Sequence, residues 1–285
     1  MPSLGSACPR RRRTELITRS NAVIAAAVVL LYLATIEVGL HIKSLGLFGA
    51  PAEAGMMAWQ PPSRSSIPEG AAGDSIRRGL HIFEDTADYA PQYTHAQVSC
   101  ASCHAGSGMQ PYAMPLVDVP ADFPMYSKRA GHVISLSDRI EECFVRSENG
   151  VPLPHDSAEM RALVDYIRWL SEPQPENLPF RGRGLLMLPE MRPDARHGAQ
   201  VYATQCAGCH GENGQGVAPL FPPLWGPFSF NDGAGMNNVR KMASFVQRNM
   251  PENRKGILSA QDAFDVAAFV HAQKRPHFNP VFSRY

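Results

Sequence analysis

Two pentapeptides, Cys100-Ala101-Ser102-Cys103-His104 and Cys206-Ala207-Gly208-Cys209-His210, constrain this chain more than any other feature. Cysteines at i and i+3 on a helical turn face the same way, so two thioethers can form to neighbouring vinyl groups of one porphyrin. The adjacent histidine then reaches its iron. Zinc would also accept two Cys-x-x-Cys pairs, yet zinc ribbons usually hold their pairs far closer than Cys103 and Cys206, and zinc gives no reason for a histidine directly after each pair. A thioredoxin-like dithiol would not normally be doubled in a helical chain. The motifs are therefore read as the attachment sites of two covalently bound haem c groups, through Cys100, Cys103, Cys206 and Cys209, with His104 and His210 as iron ligands.

Length agrees with one domain per motif, since 285 residues suit about two domains at roughly 100–200 residues each. Two breaks mark the boundaries. Gly49 to about Gly73 is rich in Pro, Ser, Ala and Gly, and Pro173 to Pro193 carries five prolines, Pro173, Pro175, Pro179, Pro189 and Pro193. The expected organisation is a basic cytoplasmic N-terminus (1–20), a transmembrane anchor (21–42), a flexible linker (43–72), a first cytochrome c domain (73–173), a second linker (174–193) and a second cytochrome c domain (194–276). Net charge is +1, so nothing in the overall balance points to nucleic acid.

Arg10 to Arg13 and Arg19 precede an apolar run from Ala22 to Ile36 that resumes at Val38. By the positive-inside rule the N-terminus stays in the cytoplasm and the rest is exported to the periplasmic face of a bacterial inner membrane. The run approaches the roughly 20 residues that span a bilayer, which favours a retained anchor. The alternative is a cleaved signal peptide and a soluble periplasmic protein, but Ala52-Glu53-Ala54 lies far downstream for a cleavage site. Cys8 precedes the run and is a bystander.

Each domain shows helical periodicity and no convincing strand alternation, so both are expected to be all-α cytochrome c domains of class I, in tandem. Ile76, Leu80 and Phe83 recur at helical spacing before the first motif, and Val201 and Tyr202 before the second. Asp156 and Glu159 have capping-box spacing ahead of Met160, Leu163, Val164, Ile167 and Leu170. Ser259 opens a helix carrying Phe264, Ala267, Ala268 and Val270.

Each iron needs a sixth ligand. Met250-Pro251 ends an amphipathic stretch with Val239, Met242, Phe245 and Val246, an arrangement like the Met loop of small electron-transfer cytochromes c; Met242 and Lys255 are the fallbacks. At the matching distance from His104 stands Cys143, a lone thiol in an oxidising compartment. Lys128, Arg129, Arg139 and Arg146 cluster around it in sequence, and cations stabilise thiolate. Met109, Met114 and Met125 are the rival ligands of the first iron. Thiolate ligation would lower the potential of this haem relative to its Met-ligated neighbour.

Gly73-Asp74-Ser75-Ile76-Arg77-Arg78-Gly79, the first haem motif, Asp138-Arg139-Ile140, Cys143-Phe144-Val145-Arg146-Ser147 and Asn149-Gly150 together resemble the dihaem thiosulfate dehydrogenases of sulfur bacteria. The resemblance covers about residues 70 to 275. It implies His104 and Cys143 on an active-site haem, and His210 and Met250 on a haem that passes electrons onward. It further implies that Arg129 and Arg139 bind the substrate anion. The implied reaction joins two thiosulfate ions into tetrathionate and hands two electrons to an external acceptor such as a small cytochrome c; the same sites could run the reverse reduction. The competing expectation is a membrane-tethered dihaem electron carrier with no substrate of its own, which has no need of Cys143 or its arginines. Sulfur-compound conjugation with a partner subunit is a third.

Overall fold

The computed structural model describes residues 59–172 and 180–285. The cytoplasmic N-terminus (1–20), the anchor (21–42), Cys8 and the larger part of the 43–72 linker lie outside the described residues. Among the described residues no helix is long and apolar enough to cross a membrane.

In the first half, α1 (Gly70–Glu84) carries Ile76, Leu80, Ile82 and Phe83 to the interior. It packs against α5 (Ala158–Leu170), whose Met160, Leu163, Tyr166, Ile167 and Leu170 are buried on the facing side. Between them lie the short helices α2 (Thr86–Tyr89) and α3 (Cys100–Cys103), then α4 (Leu136–Arg146). Ile140 and Phe144 of α4 join the same core. Ile67 joins it too, ahead of the expected domain start at 73. The helix expected to start from Asp156 is instead capped one residue later. Ser157 accepts the Met160 N–H, while Glu159 pairs with Arg78 of α1. A hydroxyl reaches the orphan amides of a first turn as well as a carboxylate does, so a neighbouring Asp and Ser compete for the cap.

The second half repeats the plan with α6 (Ala195–Gln205), α7 (Ala207–His210), α8 (Val239–Asn249) and α9 (Ala260–His271). Here α9 packs on both α6 and α8 around Val201, Tyr202, Met242, Phe264 and Val270. Ser259 caps α9 in a reciprocal box with Asp262. The repeat extends to the helix crossings. A Cβ on Gly79 of α1 would come within 2.0 Å of the Ala162 carbonyl oxygen on α5, and one on Gly198 of α6 within 1.9 Å of the Asp265 carbonyl oxygen on α9. Only glycine lets the first and last helices of each half approach this closely.

The all-α expectation needs one correction. β1 (Met125–Ser127) and β2 (His132–Ile134) form an antiparallel hairpin, with Tyr126 opposite Val133. Three-residue strands are too short to show an alternation that sequence could reveal.

The segment after Phe180 is held by both halves. Tyr112 and Met114 N–H groups donate to the Gly182 and Gly184 carbonyls, and the Leu188 N–H donates to the Ser244 hydroxyl on α8. Direct bonds join the halves as well: Gln97 N–H to the Phe228 carbonyl at 2.8 Å, and the Asn231 amide to the Val145 carbonyl at 2.8 Å.

Candidate functional site

Ser135 begins the site by capping α4. Its hydroxyl accepts the Asp138 N–H while the Asp138 carboxylate returns to the Ser135 N–H, a reciprocal cap worth about 1 kcal/mol. From that fixed start, Leu136, Arg139, Ile140, Cys143, Phe144 and Ser147 follow at steps of three and four, so they share one face of the helix. All six line a cavity of about 230 Å³, which Cys100, Cys103 and His104 enter from α3 and its end.

Arg139 and Cys143 are one turn apart on that face. The Arg139 Nη1 donates to the Cys143 Sγ at 3.4 Å and to the Glu142 Oε2 at 3.1 Å. The Cys143 sulfur, ahead of the opposing effect of burial and the further pull of Glu142, raises the Arg139 pKa above its ordinary value. The guanidinium side chain remains 42 % exposed, so it can still meet a solute. Arg129 stands elsewhere. It lies exposed in the turn between β1 and β2 and does not line the cavity. Burial, and next the charge of Arg129, depresses the Arg146 pKa.

His104 is set up as a metal-binding imidazole. Its Nδ1 lies 2.5 Å from the Met114 carbonyl oxygen. A carbonyl only accepts, so Nδ1 carries the proton and Nε2 keeps its lone pair. Burial holds the ring neutral, with its pKa lowered to about 4. His210 repeats the device with Nδ1 at 2.9 Å from the Pro222 carbonyl oxygen. Fixing one ring nitrogen on a backbone carbonyl to aim the other is the usual support of a metal-ligating histidine. In each half the cysteine pair stands on the same short turn as the aimed histidine, Cys100 and Cys103 ending at His104 and Cys206 and Cys209 ending at His210. Paired thiols beside an aimed imidazole, and in the first half an apolar cavity, fit a covalently held haem in each half.

Among the rival ligands of the first half, Met125 of β1 lines the cavity, whereas Met109 packs against the first core and Met114 contributes its carbonyl to His104. In the second half Met250 follows α8 directly, and its N–H closes the last turn on the Val246 carbonyl. Met242 is buried within the second core, and the Lys255 ammonium is bonded to the Gln110 side chain.

Residues 86–175 match the family described as SoxA/TsdA, cytochrome c domain, and residues 193–270 match that described as cytochrome C oxidase, cbb3-type, subunit III. Thiosulfate dehydrogenase of Allochromatium vinosum is 38% identical over 247 residues, covering 83% of this chain and 92% of that protein. The chain belongs to the thiosulfate dehydrogenase family. A second thiosulfate dehydrogenase, from Stutzerimonas stutzeri, is 38% identical over 229 residues, covering 78% of this chain and 75% of that protein. The solved thiosulfate dehydrogenase TsdBA of Marichromatium purpuratum superposes with a TM-score of 0.72 at 34% identity, over 80% of this chain. The present chain spans about half of that protein, 51% of its length. As a thiosulfate dehydrogenase family member with two cytochrome c domains, the chain carries two covalently bound haem c groups.

Several residues around this cavity gave no signal in the sequence. Glu148 is 1% exposed, 4.0 Å from the Cys100 Sγ, with burial lifting its carboxyl pKa to about 8. Glu142 is buried and orients Arg139. Phe230, Ala234 and Met236 line the first cavity although they belong to the second half. Local pattern cannot announce a wall supplied by a distant segment.

Proposed function

We propose that this chain oxidises thiosulfate to tetrathionate at the first haem and passes the electrons through the second. The observation that carries the reading is the Arg139 guanidinium bonded to the Cys143 sulfur on the cavity face of α4. A plain electron carrier has no use for a cation and a thiol paired in an open cavity.

The assigned roles are attachment through Cys100 and Cys103 for haem 1 and Cys206 and Cys209 for haem 2. His104 and Cys143 would hold the first iron, and His210 and Met250 the second. When bound, the haems supply two one-electron acceptors whose potentials their axial ligands set. Thiosulfate is a dianion, and Arg139 binds its sulfonate oxygens through charge-assisted hydrogen bonds. Arg129, on the exposed hairpin turn, adds to the positive field that draws anions in. Cys143 acts as a nucleophile as well as a ligand. Its thiolate bonds the outer sulfur of one thiosulfate with loss of two electrons, giving Cys143-S-S-SO3⁻. The outer sulfur of a second thiosulfate attacks the middle sulfur, tetrathionate leaves, and the Cys143 thiolate returns. The Arg139 contact stabilises that leaving thiolate.

The electrons pass to an external acceptor, a small cytochrome c or a similar redox protein. The basic segment Arg10–Arg13 followed by an apolar run favours a single-pass N-terminal anchor at the periplasmic face of the inner membrane. The test is haem reduction by thiosulfate, followed by absorbance in the purified holoprotein, beside a Cys143→Gly variant. Rapid reduction in the wild type and its loss in the variant are expected. An inert wild type, with tetrathionate also unable to oxidise the reduced protein, sinks the reading.

A further inference from the structure

We propose that Gln110 and Asn249 are positioning residues that clamp the two haem halves together at their ligand segments and so set the rate of electron transfer between the haems. The inference rests on the ligand assignment above, and goes beyond it to what joins the two sites.

Asn249 is the last residue of α8, directly before Met250, and is 2% exposed. Gln110 lies in the loop between His104 and Met114, whose carbonyl fixes the His104 ring. The Gln110 Nε2 donates to the Asn249 Oδ1 at 2.6 Å, and the Lys255 Nζ donates to the Gln110 Oε1 at 2.8 Å. The Asn249 Nδ2 donates to the Phe245 carbonyl at 2.9 Å and, at 3.5 Å, reaches the Tyr112 carbonyl. Beside them the Arg248 guanidinium covers the Tyr112 ring, 4.4 Å from its centroid.

This chain of bonds has one direction. An ammonium only donates, so Lys255 must meet the oxygen of Gln110. The Gln110 nitrogen is thereby aimed at the Asn249 oxygen, and the Asn249 nitrogen at the helix carbonyls, which only accept. Both amides are oriented by their ends, with no alternative flip that satisfies every partner. A buried amide without partners costs about 1–3 kcal/mol, so the junction resists slipping to another register. An apolar contact would bring the halves together but would not select one position.

The step served is the transfer of one electron from the first haem to the second: the first is oxidised, the second reduced, and no bond or proton changes place. Such transfer falls off exponentially with distance, and it couples better through covalent and hydrogen bonds than across van der Waals gaps. The clamp supplies a bonded route from the His104 segment through Gln110 and Asn249, and one peptide bond further to Met250.

The experiment uses the holoprotein, in wild-type, Asn249→Leu, Gln110→Leu and Gln110→Glu forms. A flash-generated flavin radical injects one electron without any need for thiosulfate, and absorbance follows its exchange between the haems. Each variant is expected to slow the exchange severalfold, because the bonded route through Gln110 and Asn249 is replaced by a van der Waals gap. Haem spectra and both potentials should stay as in the wild type. Gln110→Glu keeps a partner for Lys255 but has no donor for Asn249, so it should behave like Gln110→Leu. The Gln110 variants keep the test decisive should Asn249→Leu not fold. Wild-type exchange in the Gln110 variants overturns the clamp, as does slowing that appears only with loss of the methionine-to-iron absorption band. Thiosulfate reduction and that absorption band, both read on the wild type, report separately on the functional reading and on the Met250 assignment.

Discussion

The Arg139 Nη1 donates to the Cys143 Sγ across 3.4 Å, a bond between neighbours one helical turn apart on the wall of the first haem cavity. Glu142, whose side chain is 5% exposed, holds the same Nη1 from the other side at 3.1 Å. The guanidinium is therefore fixed against the sulfur while its remaining donors stay available to an anion.

Removing that fixed charge has a measurable cost. Hydrogen bonds to charged groups contribute about 1.5–3 kcal/mol, so Arg139→Leu should lower kcat/KM for thiosulfate by about ten- to a hundredfold. Arg139→Lys should recover only part of the loss, because an ammonium keeps the charge without the planar fork. Steady-state kinetics across the three proteins decide this, and an unchanged kcat/KM in Arg139→Leu refutes it.

At the second haem, Met250→Leu should leave the haem covalently attached, abolish the methionine-to-iron absorption band and lower the reduction potential. Lys255→Ala should retain both the band and the wild-type potential, since the ammonium is bonded to Gln110. Redox titration followed by absorbance checks both. Absence of the band from the wild type, with a potential that shifts in Lys255→Ala and not in Met250→Leu, reverses the assignment.

The glycine crossings predict stability. In Gly79→Ala and Gly198→Ala the added methyl group meets backbone oxygens of the facing helices, which must move apart. Overpacking of this kind costs about 1–3 kcal/mol. Gly235→Ala is the control, because nothing lies within 4 Å of its Cβ. Denaturant unfolding of the holoproteins should rank both crossing variants well below the control, and equal stabilities would refute the crossings.

The stability of the second half should also depend on pH. The His197 Nδ1 and the Asp265 Oδ2 lie 2.8 Å apart, joining α6 to α9. That hydrogen bond raises the His197 pKa above 6.5. Burial alone would raise Asp265, but the Asp194 N–H, His197 and Gln261 outweigh it and hold the carboxyl below 3.8. The histidine contribution is complete below pH 6.5 and is lost as pH rises through its raised folded value. The aspartate contribution is complete above pH 3.8 and is lost as pH falls through its lowered folded value. His197→Gln should therefore lower Tm most between about pH 5 and 6 and progressively less on the alkaline side. A Tm difference that does not vary with pH would contradict the assignment.

Much of the scaffold was legible in the chain because its signals are local. The helices α1, α5, α6 and α9 follow from apolar residues at helical spacing, and the haem motifs need only adjacent residues on one turn. The placement of Arg139 beside Cys143 is equally local, since residues four apart on a helix are neighbours. Short-range competition was harder. Asp156 and Ser157 both suit a helix cap, and the structure uses Ser157. The hairpin whose turn holds Arg129 exposed was hidden by strands of three residues each.

By itself, then, the sequence determined the two haem motifs, the paired helices of each half and the placing of the Cys143 thiol one turn from Arg139, because bonding within a helical turn depends on spacing alone. Only the tertiary structure decided which groups surround those elements. It buried Glu148 beside Cys100, closed the first cavity with Phe230, Ala234 and Met236 from the other half, and joined Gln110 to Asn249. Those contacts link residues far apart in the chain, and packing of the complete chain, with every buried polar group seeking a partner, selects them.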